Sequence, residues 1–144
     1  MAKEKENIQK ETSPYLVPFE TAAAELKAWF DFKKVSDDRR AKLGSFTLVL
    51  IESLMTGIIS IHAETKAITH KLKFPVGVYN ELTYKPRITV SDAQTYLQMA
   101  NQKDNTDVVL AYGAALSGVS PVVLKQLDTE DYMVLEKLAF FFMD

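Results

Sequence analysis

The chain has 144 residues, a formal net charge of -2 and no cysteine. That length holds one domain or two small lobes, and the near-neutral balance argues against a strongly basic nucleic-acid binder. Disulfides and thiolate metal ligands are excluded. The charge is uneven: residues 1–74 carry 12 Lys/Arg and 10 Asp/Glu, whereas residues 75–144 carry 5 and 9. An acidic second half suits a protein partner better than a phosphate backbone.

Residues 1–14 alternate Lys and Glu, lack the apolar stretch of an export signal, and read as a flexible polar tail. Pro14 and Pro18 bracket Tyr15-Leu16-Val17, which should be extended and pinned to a groove or to the next helix. Phe19 to Phe32 is rich in strong helix formers, with Leu26, Trp29 and Phe30 on its apolar face and Ala22 and Ala23 a turn earlier. Ser36 sits at an N-cap position, followed by Asp37 and Asp38 where a first turn favours negative charge. From Leu43 to Ile61 the one charge is Glu52, and Leu43, Phe46, Leu50, Leu54, Ile58 and Ile61 recur at helical spacing. The pattern predicts a central apolar helix over residues 37–62, with a second apolar face from Leu48, Ile51, Met55 and Ile59. Such a helix belongs in a small core or at a contact with a neighbouring subunit. Its length is near the ~20 residues of a membrane span, but Glu52 and the interspersed Ser and Thr oppose that reading.

After His62 the period changes. Ile68, His70, Leu72 and Phe74 alternate with Thr69, Lys71 and Lys73, Pro75 stops the run, and Leu82 and Tyr84 begin another alternation that ends at Pro86. This predicts a β-hairpin with a loop of several residues around Gly77 and Asn80. Thr89 or Ser91 should cap a helix from Asp92, and Thr106 or Asn105 a helix over Asp107 to Leu116. Gly113 inside that helix signals a close neighbour, and Gly118 is a natural C-cap. Ser120-Pro121 restarts the chain as N-cap and first helical residue, and Thr129 should cap the last helix. The fold class expected is mainly α with one β-hairpin (α+β): a small helical bundle packed on a two-stranded antiparallel hairpin. Residues 15–66 form the N-terminal helical region, and residues 67–144 the hairpin and C-terminal helical region.

Phe140, Phe141 and Phe142 cannot all face one way on a helix, so they mark either a contact surface or a terminus folded back over the core. The candidate protein-interaction residues are these three with Leu138, Trp29, Phe46, Leu50, Leu54 and Ile58. The apolar helix and the aromatic end together exceed what a small monomer comfortably buries, so a homo-oligomer is expected. No glycine-rich phosphate loop, HExxH or CxxC motif occurs. His62 and His70, the only histidines, lack partners at metal-ligand spacing and read as ordinary surface or half-buried side chains. Ser117 and Ser120 have no histidine in their half to act as base. Asp128, Glu130 and Asp131 have the spacing of a helix N-terminus. Tyr79, Tyr84, Lys85 and Arg87 are too few for a nucleic-acid surface in acidic company. No catalytic residue, metal or cofactor is expected, and no enzyme activity.

One ordered pattern points further. Leu72-Lys73-Phe74-Pro75 and Leu82-Thr83-Tyr84-Lys85-Pro86-Arg87 are followed by Asp92 at a helix head. Then come Leu116-Ser117-Gly118-Val119-Ser120-Pro121 and Leu127-Asp128-Thr129-Glu130-Asp131-Tyr132 before a final helix. Over residues 72–144 this resembles the phage tail assembly chaperones of the small E-type group of contractile-tailed phages. The resemblance implies a small helical protein that binds the tape measure protein, keeps it soluble and helps tail tube protein assemble around it. It implies neither nucleic acid nor membrane as partner, and a place in the host cytoplasm during virion assembly. The seventy or so preceding residues are extra to the pattern. They suit an oligomerisation module, or a permanent structural subunit of a tail or related contractile assembly that stays in the virion.

Overall fold

The computed structural model describes residues 15–143. The flexible tail expected over residues 1–14 lies outside the described residues. Leu16 and Val17 both donate their amides to the Met55 carbonyl, so the proline-bracketed segment is pinned to the end of a later helix. Helix α1, Phe19–Lys33, buries Ala22, Leu26, Trp29 and Phe30 along one stripe and ends on Lys34 in the left-handed region.

The single helix expected over residues 37–62 is instead two helices and a strand. Helix α2, Asp37–Lys42, is capped by the Ser36 hydroxyl, which accepts the Arg39 amide at 3.2 Å. Leu43 leaves helical geometry, and α3 runs Gly44–Met55. Gly57, at φ 78, turns the chain out of the helix. The β-branched Ile58-Ile59 and Ile61 then favour extended backbone, and Ile59–Ile61 forms strand β1.

Strand β1 pairs antiparallel with β2, Ile68–Val76, which pairs antiparallel with β3, Tyr79–Tyr84. The expected helical bundle on a two-stranded hairpin is thereby corrected: the fold is mainly helical with a three-stranded antiparallel sheet. The pairing of Ile59 with His70 recruits residues whose periodicity also fits the end of a helix. Strand β2 also continues through Pro75, and a two-residue turn at Gly77-Val78 replaces the longer loop. The ladder tolerates Pro75 because it is irregular there. Between the pairs Lys71–Glu81 and Val76–Tyr79, the four residues Leu72 to Pro75 face only Asn80.

Helix α4, Val90–Leu97, begins in a capping box between Thr89 and Asp92. Helix α5, Asn105–Ser117, is capped by Asp104, one residue earlier than expected, and ends at Gly118 with φ 73. It is the most deeply enclosed helix, with Val109, Leu110, Ala111 and residues 113–116 all buried. The Lys85 amide ties the end of β3 to the Leu116 carbonyl. Ser120 caps the short α6, Pro121–Leu124. Helix α7, Thr129–Met143, is capped by Asp128, whose carboxylate accepts the Glu130 amide at 3.0 Å; Thr129 does not play that part. Helix α7 packs against α3, α5 and β2 and joins the two halves of the chain.

Gly113 sits at the α5–α7 crossing. A Cβ there would meet both Leu135 methyls at 3.0 Å and a Leu124 methyl at 3.3 Å. Gly113→Leu is therefore expected to destabilise the fold by about 1–3 kcal/mol through overpacking, although glycine is the poorer helix former. Urea unfolding measures it, and an unchanged midpoint would show that α7 can retreat at no cost.

Candidate functional site

The residues singled out as an interaction surface are drawn together, but largely into the core. Leu138, Trp29, Phe141, Leu50 and Leu54 are buried, and Phe46, Ile58, Phe140 and Phe142 are partly buried. Trp29 meets Phe141 edge-on at 6.3 Å and Phe142 at 6.1 Å, while Phe30 lies 4.9 Å from Phe141. Phe140 stacks on Phe46 at 4.9 Å. The Trp29 indole N–H donates to the Lys66 carbonyl at 3.1 Å, so its polar edge is satisfied as well. The three consecutive phenylalanines diverge around α7 and each finds an intramolecular partner. Of the two readings left open for the aromatic end, this is the folded-back terminus.

Beneath the sheet lies a polar cluster that the linear pattern did not reveal. His70, Tyr84 and Asp131 are all buried. His70 Nδ1 and the Tyr84 hydroxyl are 2.8 Å apart. His70 Nε2 is 3.8 Å from Asp131 Oδ1, beyond hydrogen-bond distance. Asp131 accepts the Lys73 amide at 2.9 Å and the Phe74 amide at 3.2 Å, both from the irregular stretch of β2. Asp131 thus takes the place of the missing ladder partner; it is not the cap that its position near the helix start suggests. Burial lowers the His70 pKa to about 4, against a smaller upward pull from Asp131. The ring is neutral at pH 7; in the tautomer that carries its proton on Nε2, facing the carboxylate, Nδ1 accepts from the Tyr84 hydroxyl. Burial also raises the Tyr84 pKa. His70 and Tyr84 are enclosed and only Asp131 borders an open groove, so the cluster is read as a structural joint. One signal for His70 was present, because the alternation of β2 places it on the face of Ile68 and Leu72.

Several grooves stay open among the described residues, and two bear on binding. The first lies between α4, α5 and α6, has a volume of about 230 Å³, and is walled by Tyr96, Ala100, Leu110, Ala111 and Pro121. Its lips are Met99, 77% exposed, and Val122, 69% exposed. Asp107 and Lys125, 3.6 Å apart, make a polar rim. The second, about 260 Å³, lies between α3 and α7 near the bulge and mixes Val49, Ile58, Met133 and Val134 with Glu52, Glu130 and Asp131. Neither could be read from the chain, since each needs helices distant in sequence to lie side by side.

Among the described residues no group of three or more His, Asp or Glu is placed to hold a metal ion, and no helix is long and apolar enough to cross a membrane. No protein-family profile, curated protein or solved structure matches the chain.

The neutral His70 makes the fold sensitive to acid. Its pKa is about 4 when folded and about 6.5 when unfolded, so between these values the unfolded chain binds the extra proton. Stability should fall as pH drops from about 6.5 towards 4, by roughly 3 kcal/mol in all, with no contribution from this group above about 6.5. Urea midpoints at stepped pH should show His70→Gln losing this slope between pH ~6.5 and ~5. An equal slope in both proteins would assign the effect elsewhere. Separately, Asp131→Ala should cost roughly 3 kcal/mol, because two part-buried amides lose a charged acceptor.

Proposed function

We propose that this chain is an assembly chaperone of contractile phage tails. It holds an apolar, mostly helical segment of the tape measure protein in solution and hands it to tail tube protein for assembly in the host cytoplasm. The chain acts as a binding protein, with no catalytic step. The pattern over residues 72–144 suggests the family, and the observation that carries the reading is the open apolar groove built within that same half. Met99 and Val122 stand exposed at the edge of this groove. Exposed apolar side chains gathered around a concavity are the usual mark of a docking site. Methionine suits a lip that accepts varied side chains, because its unbranched thioether repacks easily. Apolar contact supplies most of the affinity, and the acidic surface of this half biases the choice towards basic flanks on the partner.

Co-expression with the tape measure protein tests the reading. The partner should be soluble with this chain and aggregate without it. Met99→Glu combined with Val122→Glu should abolish protection while barely changing stability, since both side chains are exposed. Phe141→Ser, by contrast, should unfold the chain itself, at a cost of about 3–5 kcal/mol. A partner equally soluble in the absence of this chain would sink the chaperone reading. Recovery of the chain from purified particles would favour a permanent tail subunit instead.

A further inference from the structure

Helix α4 is the most lightly held of the longer helices. It buries one side chain, Ala93, whereas α1 and α3 bury four each. Val90 in its first turn and Met99 just past its last are exposed, and Tyr96 and Leu97 are only partly buried. Its side chains make their hydrogen bonds locally. Thr89 and Asp92 bond each other's amides in the capping box, and the Thr95 hydroxyl donates to the Ser91 carbonyl at 3.0 Å. Contact with α5 is its main hold. A helix of eight residues is marginal by itself, because too few hydrogen bonds follow its costly first turn.

The segment is nonetheless tied down on both sides. Before α4, the Lys85 amide donates to the Leu116 carbonyl at 2.9 Å; after it, the Asn101 amide donates to the Asp107 carboxylate at 3.1 Å. Both anchors are on α5, one near each end, and residues 86–100 cross that helix between them.

The space under the crossing is open in two places. The groove between α4, α5 and α6 has a volume of about 230 Å³, and a smaller one, about 170 Å³, is walled by Asp92, Thr95, Ala114 and Ala115. Tyr96 lines both and is the one residue they share. Beneath it α5 presents Leu110, Ala111, Ala114 and Ala115. A packed helix runs with its axis about 8–10 Å from its neighbour's, and along this face of α5 that position is taken by α4. A partner helix cannot lie there until α4 moves.

We propose that residues 86–100 are a lid. Helix α4 lifts from α5 by local unfolding between its two anchors, Tyr96 leaves the boundary between the grooves, and they join in one trough along α5. A helix of the partner enters the trough, and the lid closes on its outer side through Met99. The identity of that helix rests on the chaperone reading; the opening does not. Segments with few buried contacts between firmer elements are the ones that open locally, and α5 is the firm floor here.

Thiol labelling tests it, since the chain has no cysteine of its own. Ala114→Cys places a thiol on α5 beneath α4, and Ala139→Cys places one in the core on α7; both alanines are fully buried. Circular dichroism and urea midpoints close to the wild type establish that both variants fold. In the absence of urea, Ala114→Cys should react with a soluble aromatic disulfide at least about tenfold faster than Ala139→Cys. Its rate should barely change in low urea, because local opening exposes little surface, whereas Ala139→Cys should react through global unfolding with a steep urea dependence. Where a variant does not fold, hydrogen exchange on the wild type gives the same reading: amides of residues 93–98 should exchange well ahead of those of residues 109–116. Equal rates with equal urea dependence, by either method, overturn the lid. In a complex with the tape measure protein the thiol of Ala114→Cys should be shielded, and a complex that leaves it as reactive as in the free chain overturns the trough. A tape measure protein that forms no complex sinks the chaperone reading instead, and the labelling rates of the free chain still decide the lid.

Discussion

The acceptance of two β2 amides by the buried Asp131 carboxylate is the join on which the rest of the structure depends. The bulge in β2 strips Lys73 and Phe74 of ladder partners on β3, and the side of the strand where they point is covered by α7. Part-buried amides left without an acceptor would cost about 1–3 kcal/mol each at most, and a carboxylate that accepts both removes the penalty. The helix is thereby fixed in register against a strand almost sixty positions earlier in the chain. Lys73 and Glu130 repeat the join at the surface, where solvent makes it worth little.

With α7 held at its first turn, its length decides what else can pack. Leu135 reaches α5 only because Gly113 presents bare backbone. Two turns on, Phe140, Phe141 and Phe142 fan out over Phe46, Phe30 and Trp29 and close the core from the N-terminal half. The most aromatic stretch of the chain is thus consumed internally. What remains for partners is the set of places where packing is incomplete, among them the gap left by the short α4 and α6 over α5 and the cleft beside the bulge between α3 and α7. Binding surfaces in this fold lie at the edges of helix contacts, and the densest apolar segments are the frame that positions them.

His70 shows how a sheet can bury a titratable group without a charge. Its ring occupies a core position between Ile68 and Leu72, and Tyr84 satisfies one nitrogen. The carboxylate 3.8 Å from the other nitrogen does not keep the ring protonated, because the cost of burying an imidazolium exceeds the attraction at that distance.

Much of the local structure was settled by residues within four positions of one another. The caps at Ser36, Thr89 and Ser120, the left-handed Gly118 and the stripe Ala22–Leu26–Trp29–Phe30 all depend on hydrogen bonds or spacings inside one turn, and they stand where the residues predict them. Gly113 belongs with them, since an unfavoured glycine in an apolar helix already implies a close neighbour. Ile58 to Ile61 was undecidable by the same means. Those residues suit a helix face and a strand equally, and the deciding partner, His70, enters only when β2 lies alongside. Asp131 was likewise indistinguishable from a helix-start acid until the bulge presented it with two amides. The aromatic terminus could have faced outward or inward, and its direction followed from Trp29, more than a hundred residues away. Periodicity and capping are properties of one segment and can be read from it. Which unsatisfied groups meet, and which apolar faces stay open, depends on distant segments arriving together, so only the tertiary structure decided them.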